Sequence, residues 1–257
     1  LHLALAFAVG SLWVILVTVL SEKKGSRFGG VLAGIPSTSA LAFLFIGINQ
    51  SSAAAVQATT VFPLVISFTC AYVLFYAVFA KKGFAIGLSI SLLMWLTVSG
   101  VIVLSGLKNF TLSLVCGILV SAATFYAFDK RLRLKNFPGG EKKYTPIEIL
   151  ERGTGAGSLV LLAVLLSQIG GPRLGGIASA FPAVFTSTLI ILNNSKGTEY
   201  SRSMTKPMVM TAILTCIPYS IAVRYSYPSL GIWLGTIISY AIAAPFAVVS
   251  YLITNKL

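Results

Sequence analysis

Two triplets of hydroxyl side chains stand beside prolines inside apolar runs. Ser37, Thr38 and Ser39 directly follow Pro36, and Thr186, Ser187 and Thr188 come one turn after Pro182. A proline within a helix has no N–H to give to the carbonyl four residues back, so each run is expected to free a backbone acceptor. Hydroxyls and freed carbonyls together make a polar lining without charge, suited to holding a small neutral or anionic solute. Gly34, Pro36, Ser37, Thr38 and Ser39, with Pro182, Thr186, Ser187 and Thr188, are therefore the expected substrate-binding residues. Arg27 and Arg173 join them. Each precedes an expected helix start, where the macrodipole is already positive, so a cation there calls for an anion nearby. That anion is either a lipid phosphate or a substrate drawn to each mouth.

Other chemistries lack their residues. The acidic side chains, Glu22, Asp129, Glu141, Glu148, Glu151 and Glu199, all fall at helix ends or in loops, and the one histidine, His2, is at the start of the first run. No carboxylate or imidazole is expected at membrane depth, which argues against a proton relay and against transition-metal transport. A serine nucleophile would have no base. Cys70, Cys116 and Cys216 lie in apolar runs without metal-ligand spacing, where thiols act as small hydrophobes. No catalytic residue, metal or cofactor is expected, and the chain does not read as an enzyme.

These residues sit in a chain that is 56% hydrophobic and only 10% charged, with a mean hydropathy of +0.91. A soluble domain is nearer a quarter charged. The expected fold class is an all-α polytopic membrane protein with nine transmembrane helices, at about 2–20, 30–48, 58–80, 84–106, 110–128, 149–169, 175–194, 205–223 and 229–254. With no basic segment ahead of the first run, that run is expected to stay as a span. The segment Thr145-Pro146-Ile147-Glu148 predicts a capped helix start. The net charge of +13 is assigned to loops, with no nucleic-acid partner. Nine spans sort the lysines and arginines 16 to one side and 3 to the other. The positive-inside rule then puts the amino terminus outside a cell membrane and the carboxyl terminus inside.

The stretch Gly25–Ala40 recurs. At a spacing of 146, Gly25 falls on Gly171, Arg27 on Arg173, Gly29 and Gly30 on Gly175 and Gly176, Pro36 on Pro182, Thr69 on Thr215 and Cys70 on Cys216. The register predicts two four-helix units, 1–106 and 146–257, separated by a linker helix and basic loop, 107–145. An odd helix between them inverts the second unit, giving a 4+1+4 inverted-topology repeat. Inverted repeats with Gly/Pro-interrupted helices mark alternating-access transporters, whose sites lie near the midplane. The plainer reading of Gly30-x-x-x-Gly34 and Gly176-x-x-x-Ala180 is close helix packing.

The segment GGVLAGIPSTSALAFLFIGINQ resembles a stretch of the short GlpM-like membrane proteins, which carry an Ala-Gly-x-x-Pro-x-(Ser/Thr) pattern in a second helix. The resemblance covers one helix and its flanks. It implies that four-helix units of this type occur singly and are fused here, and it carries over no residue roles. The inverted halves are also similar to those of drug/metabolite carriers, although those have five helices per half. The expected function is a secondary transporter or facilitator of a small neutral or anionic solute. The alternatives are an ion channel gated by the broken second and seventh helices, and a non-transporting lipid-binding scaffold. Membrane lipid and a small solute or ion are the expected partners, and a homo-oligomer is left open.

Overall fold

The computed structural model describes residues 2–24, 35–132 and 145–256. Arg27, Gly34, the glycines at 25, 29 and 30 and most of the basic loop lie outside these. Among the described residues the chain is all helical: α1 His2–Lys24, α2 Ser37–Asn49, α3 Ser52–Ala58, α4 Phe62–Phe79, α5 Phe84–Ser105, α6 Phe110–Arg131, α7 Pro146–Gly170, α8 Pro172–Ser179, α9 Ala183–Lys196, α10 Thr198–Ser203 and α11 Thr205–Lys256. α11 is two helices that fold back on each other at Gly231, where φ is 73° and ψ 177°, so that Ser226 Oγ lies 3.1 Å from Ser239 Oγ and Thr211 Oγ1 2.6 Å from Ser250 Oγ. A side chain rarely adopts that conformation, and glycine adopts it freely.

Six helical segments are long and apolar enough to cross a membrane, and Leu3–Leu16 and Ser37–Asn49 are shorter apolar helices. The expected fourth and fifth runs correspond to α5 and α6, and the expected eighth and ninth both fall within α11. This is the build of a helical membrane protein. α5, α6 and the 232–256 arm of α11 turn large apolar side chains outward, among them Leu93, Leu104, Leu119, Trp233 and Ile237.

Local sequence explains the ends. Thr145 Oγ1 accepts from the Glu148 amide at 3.2 Å while Glu148 Oε2 accepts from the Thr145 amide at 2.8 Å, forming the expected capping box. Asn109 caps α6 through Leu112 N at 3.0 Å. The short helix α3, unexpected from hydropathy, is capped by Ser51, whose Oγ accepts from Ala54 N at 3.1 Å. Helix boundaries recur at the 146 spacing. α1 and α7 end at residues 24 and 170, α2 and α9 begin at 37 and 183, and α3 and α10 begin at 52 and 198.

The core centres on α4, where Phe62, Val65, Cys70, Tyr72, Val73 and Tyr76 are fully buried. Its neighbours are α5, α6 and the first arm of α11. The repeat-equivalent helices α1 and α7 also pack together. Their contact runs along Gly153-x-x-x-Gly157, where an added Cβ would strike Ile15 or the Phe7 carbonyl. Small residues let membrane helices meet this closely.

Candidate functional site

Pro36 and Pro182 each stand at the N-cap of a helix, with φ/ψ of −70°/68° before α2 and −76°/37° before α9. At both, the chain makes the same three-residue turn. Ser37 N donates to Ile35 O at 2.7 Å, and Ala183 N donates to Phe181 O at 2.8 Å. This is the inverse γ-turn, whose φ proline supplies. The seventh run is therefore broken, with α8 ending at Ser179 and α9 starting at Ala183. The carbonyl four residues before Pro182 is not left free, because Ala178 O accepts from Phe181 N at 3.1 Å.

The Pro182 break and the Pro36 helix start face each other across a cavity of about 40 Å³. Ile35 to Ser39 line one side and Ser179 to Pro182, with Val184 and Phe185, the other. Ile66, Thr69 and Cys216 complete it. One water needs roughly 10–15 Å³, so the space holds a few waters or a very small solute. Of the expected residues, the fold thus brings together Pro36, Ser37, Thr38, Ser39 and Pro182. The other three hydroxyls lie one turn away and are spent locally. Thr186 donates to Pro182 O at 2.7 Å and meets Tyr72 Oη at 2.7 Å. Thr188 donates to Val184 O at 2.7 Å. Ser187 donates to Val184 O at 3.1 Å and faces a separate pocket beside Val14 and Arg152.

Side chains of α2 and α4 seal the Pro182 break. Ser39 Oγ donates to Ser179 O at 2.9 Å and Thr69 Oγ1 to Ala180 O at 2.7 Å. These are carbonyls at the frayed end of α8, where no helical N–H reaches. Thr69 in turn accepts from Trp95 Nε1 at 2.8 Å, and the Trp95 ring meets Phe181 edge-on with centroids 5.1 Å apart. In return Tyr240 Oη, from the second half, donates to Pro36 O at 3.2 Å. Sequence reading reached neither Thr69 nor Trp95 as site residues. Their one sequence signal was that Thr69 falls on Thr215 in the repeat.

Arginines hold the two ends of the molecule. Arg202, 4% exposed, donates through Nε to Ala77 O at 2.8 Å and pairs with Glu199. Beside it Tyr76 Oη meets Ser201 Oγ at 2.5 Å. At the opposite end Arg224 Nη1 donates to Val56 O at 3.3 Å and lies within reach of the Thr59 and Thr60 hydroxyls, at 3.5 and 3.4 Å. Its guanidinium sits 4.4 Å from the centre of the Phe110 ring. The 18 residues of α4 separate these contacts by about 27 Å. In the repeat register Arg202 falls on Val56 and Arg224 on Val78. The counterpart of the contact between positions 56 and 224 is that between 202 and 78, one residue from the observed contact of Arg202 with Ala77. Arg173, the expected mouth cation, donates to Gly106 O and Leu107 O at 3.1 and 3.2 Å. Its partner is the carbonyl end of α5, the negative pole of that helix.

Among the described residues, no three His, Cys, Asp or Glu side chains come together. Gly176 packs where an added Cβ would strike the Ala58 carbonyl, so in this copy the small-residue motif serves close packing. Residues 150–256, from early α7 to the end of α11, match the family described as "Protein of unknown function (DUF3147)". That match falls on an uncharacterised family and not on the GlpM-like proteins or a transporter family. No curated protein and no solved structure matches the chain.

Proposed function

We propose that the chain is a secondary transporter or facilitator that moves a small neutral or anionic solute across a cell membrane by alternating access. In this reading 1–106 and 146–257 are inverted four-helix halves in a nine-span chain, with the amino terminus outside. The recurrence of helix boundaries at one spacing supports the halves. The observation that carries the function is the cavity between the two helix breaks. α2 and α9 both begin there and run 13 and 14 residues in opposite directions, about 20 Å each. The cavity then lies near the middle of a hydrocarbon layer about 30 Å thick. Broken helices meeting at the midplane, one from each half, are the arrangement in which transporters hold their cargo. The hydroxyls and backbone groups bind, and no residue is assigned to catalysis.

The test is flux in proteoliposomes against a panel of small neutral and anionic solutes. Saturable uptake with counter-exchange supports a carrier. Large voltage-driven current without saturation would make the breaks a channel gate. No flux from folded protein would leave a lipid-binding scaffold.

A further inference from the structure

The cavity is where α2 and α9 begin, and no side chain caps either start. The proline turn engages the first amide of each helix, that of Ser37 or Ala183. The proline carbonyl takes the fourth, from Ala40 N at 3.3 Å and Thr186 N at 2.8 Å. The second and third amides, of Thr38 and Ser39 in α2 and of Val184 and Phe185 in α9, have no acceptor among the described residues. All four residues line the cavity.

A side chain makes the same demand independently. Ser37 is 7% exposed and lines the cavity, and its hydroxyl has no partner among the described residues. The acceptors nearby are already used, since Ser179 O and Ala180 O take the Ser39 and Thr69 hydroxyls. What remains unmet is four amide donors and the Ser37 hydroxyl, which can donate or accept. A neutral polar solute brings donors of its own and would find few acceptors, whereas an anion is acceptor only.

Charge and size narrow the class. Among the described residues, no ionisable acid or base other than Cys216 lines the cavity. Each helix start is equivalent to roughly half a positive charge, so two opposed starts balance about one negative charge. A phosphate or sulfate would bring more charge than they offset. We infer that the cavity binds one small monovalent anion, a bare halide or a planar oxyanion such as nitrate or formate, between the amide ends of α2 and α9. Its role as the transported species rests on the function proposed above. The binding itself does not.

The experiment uses the purified full chain in detergent. Its melting temperature is followed against sodium chloride, nitrate and formate, with gluconate holding ionic strength constant. A saturable rise is expected, because a ligand of the folded state stabilises it by mass action. Ser37→Ala should weaken apparent affinity about ten-fold, the loss of one hydrogen bond to a charged group. Thr38→Asp sets a carboxylate at the start of α2 and should abolish the salt response, with the melting temperature maintained or raised. No saturable rise in the parent chain overturns the inference, as does a rise that Ser37→Ala leaves unchanged. Flux in proteoliposomes separates this from the transport reading. Saturable movement of neutral solutes without anion binding leaves the transporter standing and this site refuted. Anion binding without flux of any solute does the reverse.

Discussion

The two helix breaks share a backbone and differ in their side chains. Both carry proline in the same turn, and both start a helix without a cap. Pro36 is followed by Ser-Thr-Ser and Pro182 by Ala-Val-Phe. The Pro36 side supplies hydroxyls, and the Pro182 side supplies apolar wall and the Ser179 and Ala180 carbonyls, which Ser39 of α2 and Thr69 of α4 seal. Proline and the uncapped amides make the site's shape, which both halves therefore keep. Hydrogen-bonding chemistry belongs to side chains and is needed only once where two halves share one cavity. The repeat has kept its shape on both sides and concentrated its polarity on one.

The sharpest way to break this comparison is at Thr69, which joins both sides. Thr69→Val keeps the volume but strands the Ala180 carbonyl and the Trp95 N–H. The expected cost is about 2–3 kcal/mol, read as a fall in thermal stability in detergent. Thr188→Val, which removes only a bond within its own helix, should cost under about 1 kcal/mol. Equal costs would mean that the cross-half bonds are incidental.

The prolines come next. Pro36→Ala and Pro182→Ala keep a compatible φ but return an N–H and loosen the turn. Each should change stability by about 1 kcal/mol or less while lowering initial flux several-fold. Parental flux from both folded variants would reduce the breaks to packing features.

A third test restores symmetry. Ala183→Ser gives the second break the hydroxyl that Ser37 gives the first. Solute affinity should tighten about three-fold, the worth of an ordinary hydrogen bond, in a titration of uptake. Weakened affinity would show that the apolar wall is itself required.

The smallest effect is expected at Arg173. Its guanidinium is engaged by the carbonyl end of α5, so Arg173→Gln should cost about 0.5 kcal/mol in thermal stability. External solute affinity and its salt dependence should stay unchanged. A several-fold, salt-sensitive loss of external affinity would return this residue to the mouth of a transport path.

The repeat register carried much of this site. Aligning Pro36 with Pro182 paired the breaks before any fold was known, and composition gave the helical class. Helix starts with local signals, such as Thr145 to Glu148, were readable because the cap and its partner lie three residues apart. What stayed hidden depends on distant pairings. Thr69 reaches a carbonyl 111 residues away and Ser39 one 140 residues away, and no local pattern marks a threonine for that role. Thr186 misled because its depth matched the site, while its hydroxyl was claimed by Pro182 and Tyr72. The hydropathy pattern likewise passed over α3, a seven-residue helix made by its serine cap.

If the two repeat segments arose by duplication, the arginine contacts bear on how they pair. Position 56 meets position 224, and position 202 meets position 77. If two copies of 1–106 assembled, Val56 would face Val78 at one end and Ala77 at the other, and neither end would be tied. If two copies of 146–257 assembled, Arg202 would face Arg224 at one end and Val223, the residue beside Arg224, at the other, bringing like charges close together. Only a mixed pair sets one arginine against one carbonyl at each end. Two freely expressed halves would have to avoid both mismatched dimers, whereas a fused chain fixes their stoichiometry at one to one. With Arg202 and Arg224 both in 146–257 and valine at both repeat-equivalent positions, the two segments are not interchangeable at these contacts.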